Sequence, residues 1–186
     1  MNETLITLAL ASGATRAAAL PAAEVTLDAA FRDICQTNAC GNYGRCYTCP
    51  PDVGEIHTLM QRVGGYASAV LYQTVHALED SFDYEGMVAA GARHSEVSQA
   101  LEGQLRETGA AGYLHLSAGG CRLCETCAKR ENQPCHHPAL ALPSMESYGV
   151  NVYETARRAG LLYINGQDSV TYFGMVLFGE GSHANA

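Results

Sequence analysis

The stretch YASAVLYQTV, residues 66–75, decides the fold class. It is rich in β-branched, aromatic and small apolar residues, which suit the pleated surface of a buried strand. Working outward, residues 85–108 carry apolar side chains at Met87, Val88, Val97, Leu101 and Leu105, a helical pattern that stops at Gly109. Residues 113–116 (YLHL) predict a further strand, and Gly119-Gly120 turn the chain into a cysteine-rich loop. Strand, crossover helix and strand in succession predict parallel pairing in one layer. The expected class is α/β, a single-domain α/β sandwich with a mixed sheet and two cysteine-rich metal-binding loops, at 35–51 and 119–138.

The flanks extend this pattern. A short helix is expected over 3–12, a strand over 16–20 ended by Pro21, and a helix over 26–34 that delivers Cys35. Pro50-Pro51 deny the chain a helix at that point. Asp52 is expected to cap a helix running to Val63, with Glu55 at the capping-box position and Gly64-Gly65 as the stop. Beyond a short turn at 144–146, a helix is expected over 152–159, stopped by Gly160. Strands over 161–164 and 171–178 would then form an antiparallel hairpin through Asn165-Gly166. The tail 179–186 reads as loose.

Composition bounds the function. With 186 residues, 47% of them hydrophobic and 16% charged, the chain fits one globular domain and excludes two large domains or extensive disorder. Ten arginines and a single lysine, Lys129, stand against 19 acidic residues with no basic run, which argues against nucleic acid or an anionic membrane as partner. No apolar run reaches the roughly 18–20 residues of a membrane-spanning helix. Glu3 sits where an export signal would carry positive charge ahead of the apolar residues 5–11. A cytoplasmic protein with reduced thiols is the expectation, and clustered thiols there point to metal or catalysis before disulfides.

The 8 cysteines fall into two groups of four. Cys35, Cys40, Cys46 and Cys49 lie in CQTNACGNYGRCYTCPP, and Cys121, Cys124, Cys127 and Cys135 in CRLCETCAKRENQPCHHP. In the second group, C-x2-C-x2-C puts three thiolates on one tight loop, a spacing that wraps successive corners of a cubic 4Fe-4S cluster, with Cys135 arriving as fourth ligand. Zinc more usually pairs two C-x2-C knuckles, and it stays as the alternative metal. The first group is less regular. Its four thiolates suffice for a second 4Fe-4S cluster, and Gly41 and Gly44 would let the backbone approach closely. Alternatively three of them hold the cluster while Cys46 packs as a bystander, which would leave one iron open to substrate.

These motifs, together with LPSMESYGVNVYETARRAG at residues 142–160, resemble the bacterial and archaeal proteins grouped as domain of unknown function 2284, described as predicted metal-binding proteins. The resemblance runs from about Cys35 to the C-terminus. Its members often carry tryptophan at the Tyr47 position and do not always carry cysteine at the Cys46 position. It implies metal binding, with iron-sulfur the favoured chemistry, and no particular reaction.

Other residue types offer less. His136 and His137 follow Cys135 closely enough to ligate or tune a metal, although exposed loop histidines are the commoner case. His76, His94 and His115 fall on or near expected elements and suit hydrogen-bonded structural roles. Glu79, Asp80, Asp83 and Glu85 read as solvated charges. No glycine-rich nucleotide fingerprint or P-loop occurs. The expected function is electron transfer to a redox partner protein through two 4Fe-4S clusters. The alternatives are a redox enzyme with a three-cysteine cluster in the first loop, and a zinc-stabilised interaction domain.

Overall fold

The computed structural model describes residues 1–180. Four strands form one sheet in the order β1 (Arg16–Pro21), β2 (Tyr66–Ala77), β4 (Ser169–Glu180), β3 (Leu114–Leu116), and every neighbouring pair is antiparallel. Helices α1 (Asn2–Ala11) and α4 (Tyr84–Glu107) pack on one face of it. On the other lie α3 (Ile56–Gly64), α5 (Val152–Arg158) and a short 3-10 turn, Glu146–Tyr148. Helix α2 (Ala30–Gln36) precedes the first cysteine loop. Among the described residues no helix is long and apolar enough to cross a membrane.

The near-continuous apolar run of β2 follows from burial on both faces. Ala69 and Leu71 join Leu59, Val63 and Met145 in one core, while Val70 and Tyr72 join Leu5, Ala9, Leu101 and Leu105 in the other. Strand β4 alternates likewise, with Phe173, Met175 and Leu177 on the first face and Val176 and Phe178 on the second. The α/β sandwich is thus present.

Its pairing differs from the expected one. β2 and β3 do point the same way across the α4 crossover, but β4 lies between them, antiparallel to both, so the sheet is antiparallel and not mixed. Both faces of β4 are apolar and each is covered by a core. The expected hairpin partner at 161–164 forms no strand: Leu162 and Ile164 are exposed, and the Asn165 amide closes a loop by donating to the Leu162 carbonyl at 2.9 Å and Thr171 Oγ1 at 3.0 Å. Gly179 and Glu180, expected in a loose tail over 179–186, end β4 instead, and residues 181–186 lie outside the described residues.

Two helix starts also move. Residues 26–28 leave the expected helix to pair with the segment before α5, through Asp28 N–H to Gly149 O at 2.7 Å and Asn151 N–H to Thr26 O at 2.8 Å. Glu55, and not Asp52, caps α3, its carboxylate accepting from His57 N–H at 3.0 Å and Thr58 N–H at 2.9 Å. The acidic stretch does local work: Asp83 caps α4 by accepting from Gly86 N–H at 2.8 Å, and Asp80 accepts from Phe82 N–H at 2.7 Å.

Gly174 on β4 faces Tyr72 on β2. A Cβ built there would stand 2.2 Å from both Cζ and Oη of Tyr72, so the tyrosine ring crosses β4 where that strand has no side chain. Gly174→Ala is expected to destabilise the fold by about 1–3 kcal/mol through overpacking, measured by denaturant unfolding. Wild-type stability in that variant would contradict the crossing.

Candidate metal centre

Helix α2 delivers Cys35 in its last turn, and the chain then folds back on itself. Asn38, at φ 54°, accepts from Tyr43 N–H through its side chain at 3.0 Å, and Gly44 N–H reaches the Pro50 carbonyl at 2.8 Å to close the loop. Within it Cys49 N–H bonds the Cys46 carbonyl at 3.0 Å, making a tight knuckle from Cys46 to Cys49. Both of these sulfurs are buried, whereas Cys35 is half-buried and Cys40 exposed.

The first group divides in space. Cys35, Cys40 and Cys49 line a cavity of about 380 Å³ together with Glu146, Tyr172 and Phe173, and Cys46 is not part of its wall. Cys46 instead turns toward the second loop. Its sulfur lies 3.3 Å from Thr48 Oγ1, with the Cys49 thiol and the backbone N–H groups of Thr48 and Cys121 as donors beside it. Those donors, the Cys49 thiol foremost, hold Cys46 well below the usual thiol range; the same bond and burial push Cys49 up. Burial, then the neighbouring Cys40, raises Cys35, and burial raises Cys121 and Glu146.

The second loop leaves β3 through Gly119-Gly120 and carries Cys121, Cys124, Cys127 and Cys135, all half-buried, around a 3-10 turn at Ala128–Glu131. It is clasped to the first loop at several points. Cys121 N–H donates to Thr48 Oγ1 at 3.3 Å, and Tyr47 Oη donates to the Gln133 carbonyl at 2.7 Å. Lys129, the single lysine, pairs with Asp52 and lies 5.4 Å from the centre of the Tyr47 ring. Gly120 sits so close to Asn42 that a Cβ there would stand 2.8 Å from the amide nitrogen.

Cys135 faces a second cavity of about 540 Å³ shared with Thr48, Glu102, Arg106 and His115. His136 and His137 are exposed, their rings 6.4 Å apart. His76, His94 and His115 are held by side chains: His76 accepts from Arg93, His94 bonds Thr74, and His115 bonds Tyr72 and Glu102. Among the described residues no three His, Cys, Asp or Glu side chains converge on one point as the ligands of a single ion do.

The donor chemistry suits a multinuclear group. Three thiols spread around a cavity and four more follow a loop, and the burial and neighbouring thiols that raise Cys35 and Cys121 are a cost that a bound cation would relieve. Sequence reasoning located the thiols but missed Thr48, Tyr47 and Asp52 as the residues that join the loops, since nothing in their spacing signals a partner some 73 to 86 residues away.

A two-faced α/β sandwich with eight thiols gathered on two interlocked loops defines a metal-binding class of protein. The profile of the family described as predicted metal-binding protein, domain of unknown function 2284, matches residues 18–178, and the chain belongs to that family. No curated protein and no solved structure matches it.

Thr48 is the hydroxyl at the seam. Thr48→Val keeps the shape but removes the acceptor for Cys121 N–H and the partner of the Cys46 sulfur, with an expected loss of about 1 kcal/mol in denaturant unfolding. An unchanged midpoint would show that the hydroxyl does not join the loops.

Proposed function

We propose that this protein binds two 4Fe-4S clusters, one at each cysteine group, and passes single electrons between them and a redox partner protein. The observation that carries this reading is the interlocking of the two loops at Thr48 and Cys121, which makes neighbours of the two groups of thiols. Adjacent cysteine-ligated clusters most commonly serve electron transfer. A single zinc ion draws its sulfurs to about 2.3 Å from one point, a convergence these thiols lack, whereas a cubic cluster takes ligands at separate corners.

A second reading rests on the way Cys46 turns aside. With Cys35, Cys40 and Cys49 alone around the cavity, a cluster there would keep one iron open, and the protein would be a redox enzyme acting on a small molecule admitted beside Glu146. Here the residues of the chain would hold and orient that molecule, while the cluster would supply Lewis acidity or an electron.

Oxygen-free purification followed by metal and acid-labile sulfide analysis is expected to give about eight iron and eight sulfide per chain, with both clusters reducible. Stoichiometric zinc without sulfide would contradict the proposal. In Cys46→Ala, loss of about half the iron supports a fully ligated relay; full iron with a nearly unchanged electron paramagnetic resonance spectrum supports the three-cysteine site.

A further inference from the structure

The stretch PSMESYG, residues 143–149, sets one carboxylate in the wall of the first-loop cavity. Met145 and Tyr148 stand three residues apart, on one side of the 3-10 turn, and both are buried in the core. Glu146, between them in sequence, lines the cavity instead. The turn is pinned at both ends: Met145 N–H donates to the Ser117 carbonyl at 2.9 Å, and Gly149 N–H, at φ 75°, to the Glu146 carbonyl at 2.9 Å. Ser144 Oγ accepts from Ser147 N–H at 3.1 Å, which leaves its own proton for the Glu146 carboxylate beside it.

Among the described residues no arginine, lysine or histidine pairs with Glu146. Arg32, on the helix that supplies Phe31 and Ile34 to the wall, is held elsewhere, by the Ser147 carbonyl at 3.0 Å and the Gly54 carbonyl at 2.6 Å. Among the described residues no basic side chain lines the cavity at all. Any ionised thiol of Cys35, Cys40 or Cys49 would add charge of the same sign as Glu146.

The rest of the wall is largely apolar and aromatic. Phe31, Tyr43, Tyr163, Tyr172 and Phe173 all contribute to it. The Tyr163 and Phe173 rings stack, with centroids 5.6 Å apart and planes at 8°, and Tyr153 meets Tyr163 edge-on at 5.6 Å. Tyr172 Oη donates to the Met87 carbonyl at 2.9 Å, so its proton is already committed.

This wall narrows what the cavity can hold. At about 380 Å³ it falls in the range of roughly 300–1,000 Å³ in which proteins hold small organic molecules. An anion would meet the carboxylate. A neutral apolar molecule would strip the carboxylate of water and return no hydrogen bond. Calcium or magnesium wants about six or more oxygen ligands, and here one carboxylate stands among aromatic rings. An ammonium group on an apolar body satisfies both parts of the wall: its N–H groups meet the free lone pairs of the carboxylate, and its charge is attracted to the faces of neighbouring rings.

We propose that the first-loop cavity binds an organic cation, a protonated amine on a flat apolar body, with Glu146 as its counter-ion and the aromatic rings around the body. As the class of small molecule for the three-cysteine enzyme it rests on that reading; the binding itself needs the cavity and its carboxylate, not the cluster. No covalent bond forms or breaks.

The test is isothermal titration calorimetry of the anaerobically purified protein, its iron and sulfide measured beforehand, with three probes of similar shape and different charge: 2-phenylethylammonium, 2-phenylethanol and phenylacetate. Salt at about 0.15 M screens exposed charges beyond about 8 Å. One ammonium per chain is expected to bind, about tenfold or more tighter than the alcohol, with no measurable binding of phenylacetate. Glu146→Gln keeps the shape and removes the charge, and is expected to bring the ammonium down to the affinity of the alcohol while the alcohol binds as before. Tyr163→Ala, at an exposed position on the rim, is expected to weaken ammonium and alcohol together. Equal binding of ammonium and alcohol by the wild type, or wild-type ammonium affinity in Glu146→Gln, overturns the proposal. Ammonium binding by a chain without iron and sulfide supports it and removes the clusters. Iron and sulfide without ammonium binding overturns it and leaves the electron-transfer reading standing.

Discussion

The seam between the two cysteine loops is the constraint on which the functional half of the molecule depends. Thr48 Oγ1 faces both the Cys46 sulfur and Cys121 N–H, each at 3.3 Å. The loops belong to distant parts of the chain, one leading from α2 toward α3 and the other leaving β3. Apart from the single 3-10 turn at Ala128–Glu131, neither has a helix or strand of its own to hold it open in a defined shape. What fixes them is mutual: Tyr47 on Gln133, Lys129 between Asp52 and the Tyr47 ring, and Asn42 against Gly120. Exposed ion pairs contribute little by themselves, but the partly buried Cys121 N–H, whose acceptor Thr48 Oγ1 lies across the seam, makes separation costly.

The sheet places that seam. Because β4 lies between β2 and β3, the Ser117 end of β3 comes up beside the segment before α5, through the parallel bridge of Ser117 to Ser144 and through Ser117 N–H to the Pro143 carbonyl at 2.8 Å. This sets Ser144 and Glu146 beside Ala118, Gly119 and Gly120 on the wall of the first-loop cavity. Tyr72, passing over Gly174, joins the same region to α4. The fold therefore brings to one place two thiol groups and a cavity wall that carries Glu146.

Much of this could be read from the sequence. The continuous apolar run at 66–75, the α4 periodicity and the cysteine spacing indicated the α/β sandwich and the two loops. Strand order could not be read, since an apolar β4 fits an edge or a centre equally well until its two faces are counted against the helices available. Residues 161–164 looked like a strand because Leu161, Leu162 and Ile164 are apolar, yet the Asn165 amide commits the segment to a loop. The division of the first group was hidden for a similar reason: spacing fixes which sulfurs lie on one loop, not which way each of them turns. The polar ridge of His94, Ser98 and Glu102 did carry a signal, polar residues at helical intervals next to Leu101 and Leu105 on the core-facing side of α4.

We propose that the interlocked loops hold two metal clusters as close neighbours. Electron paramagnetic resonance of the fully reduced holoprotein, compared with the half-reduced state, tests it most directly. Two clusters on loops joined at Thr48 and Cys121 should couple, so that the fully reduced spectrum is broadened or split relative to the sum of its parts. Two independent, unperturbed signals, or a single cluster, would contradict it.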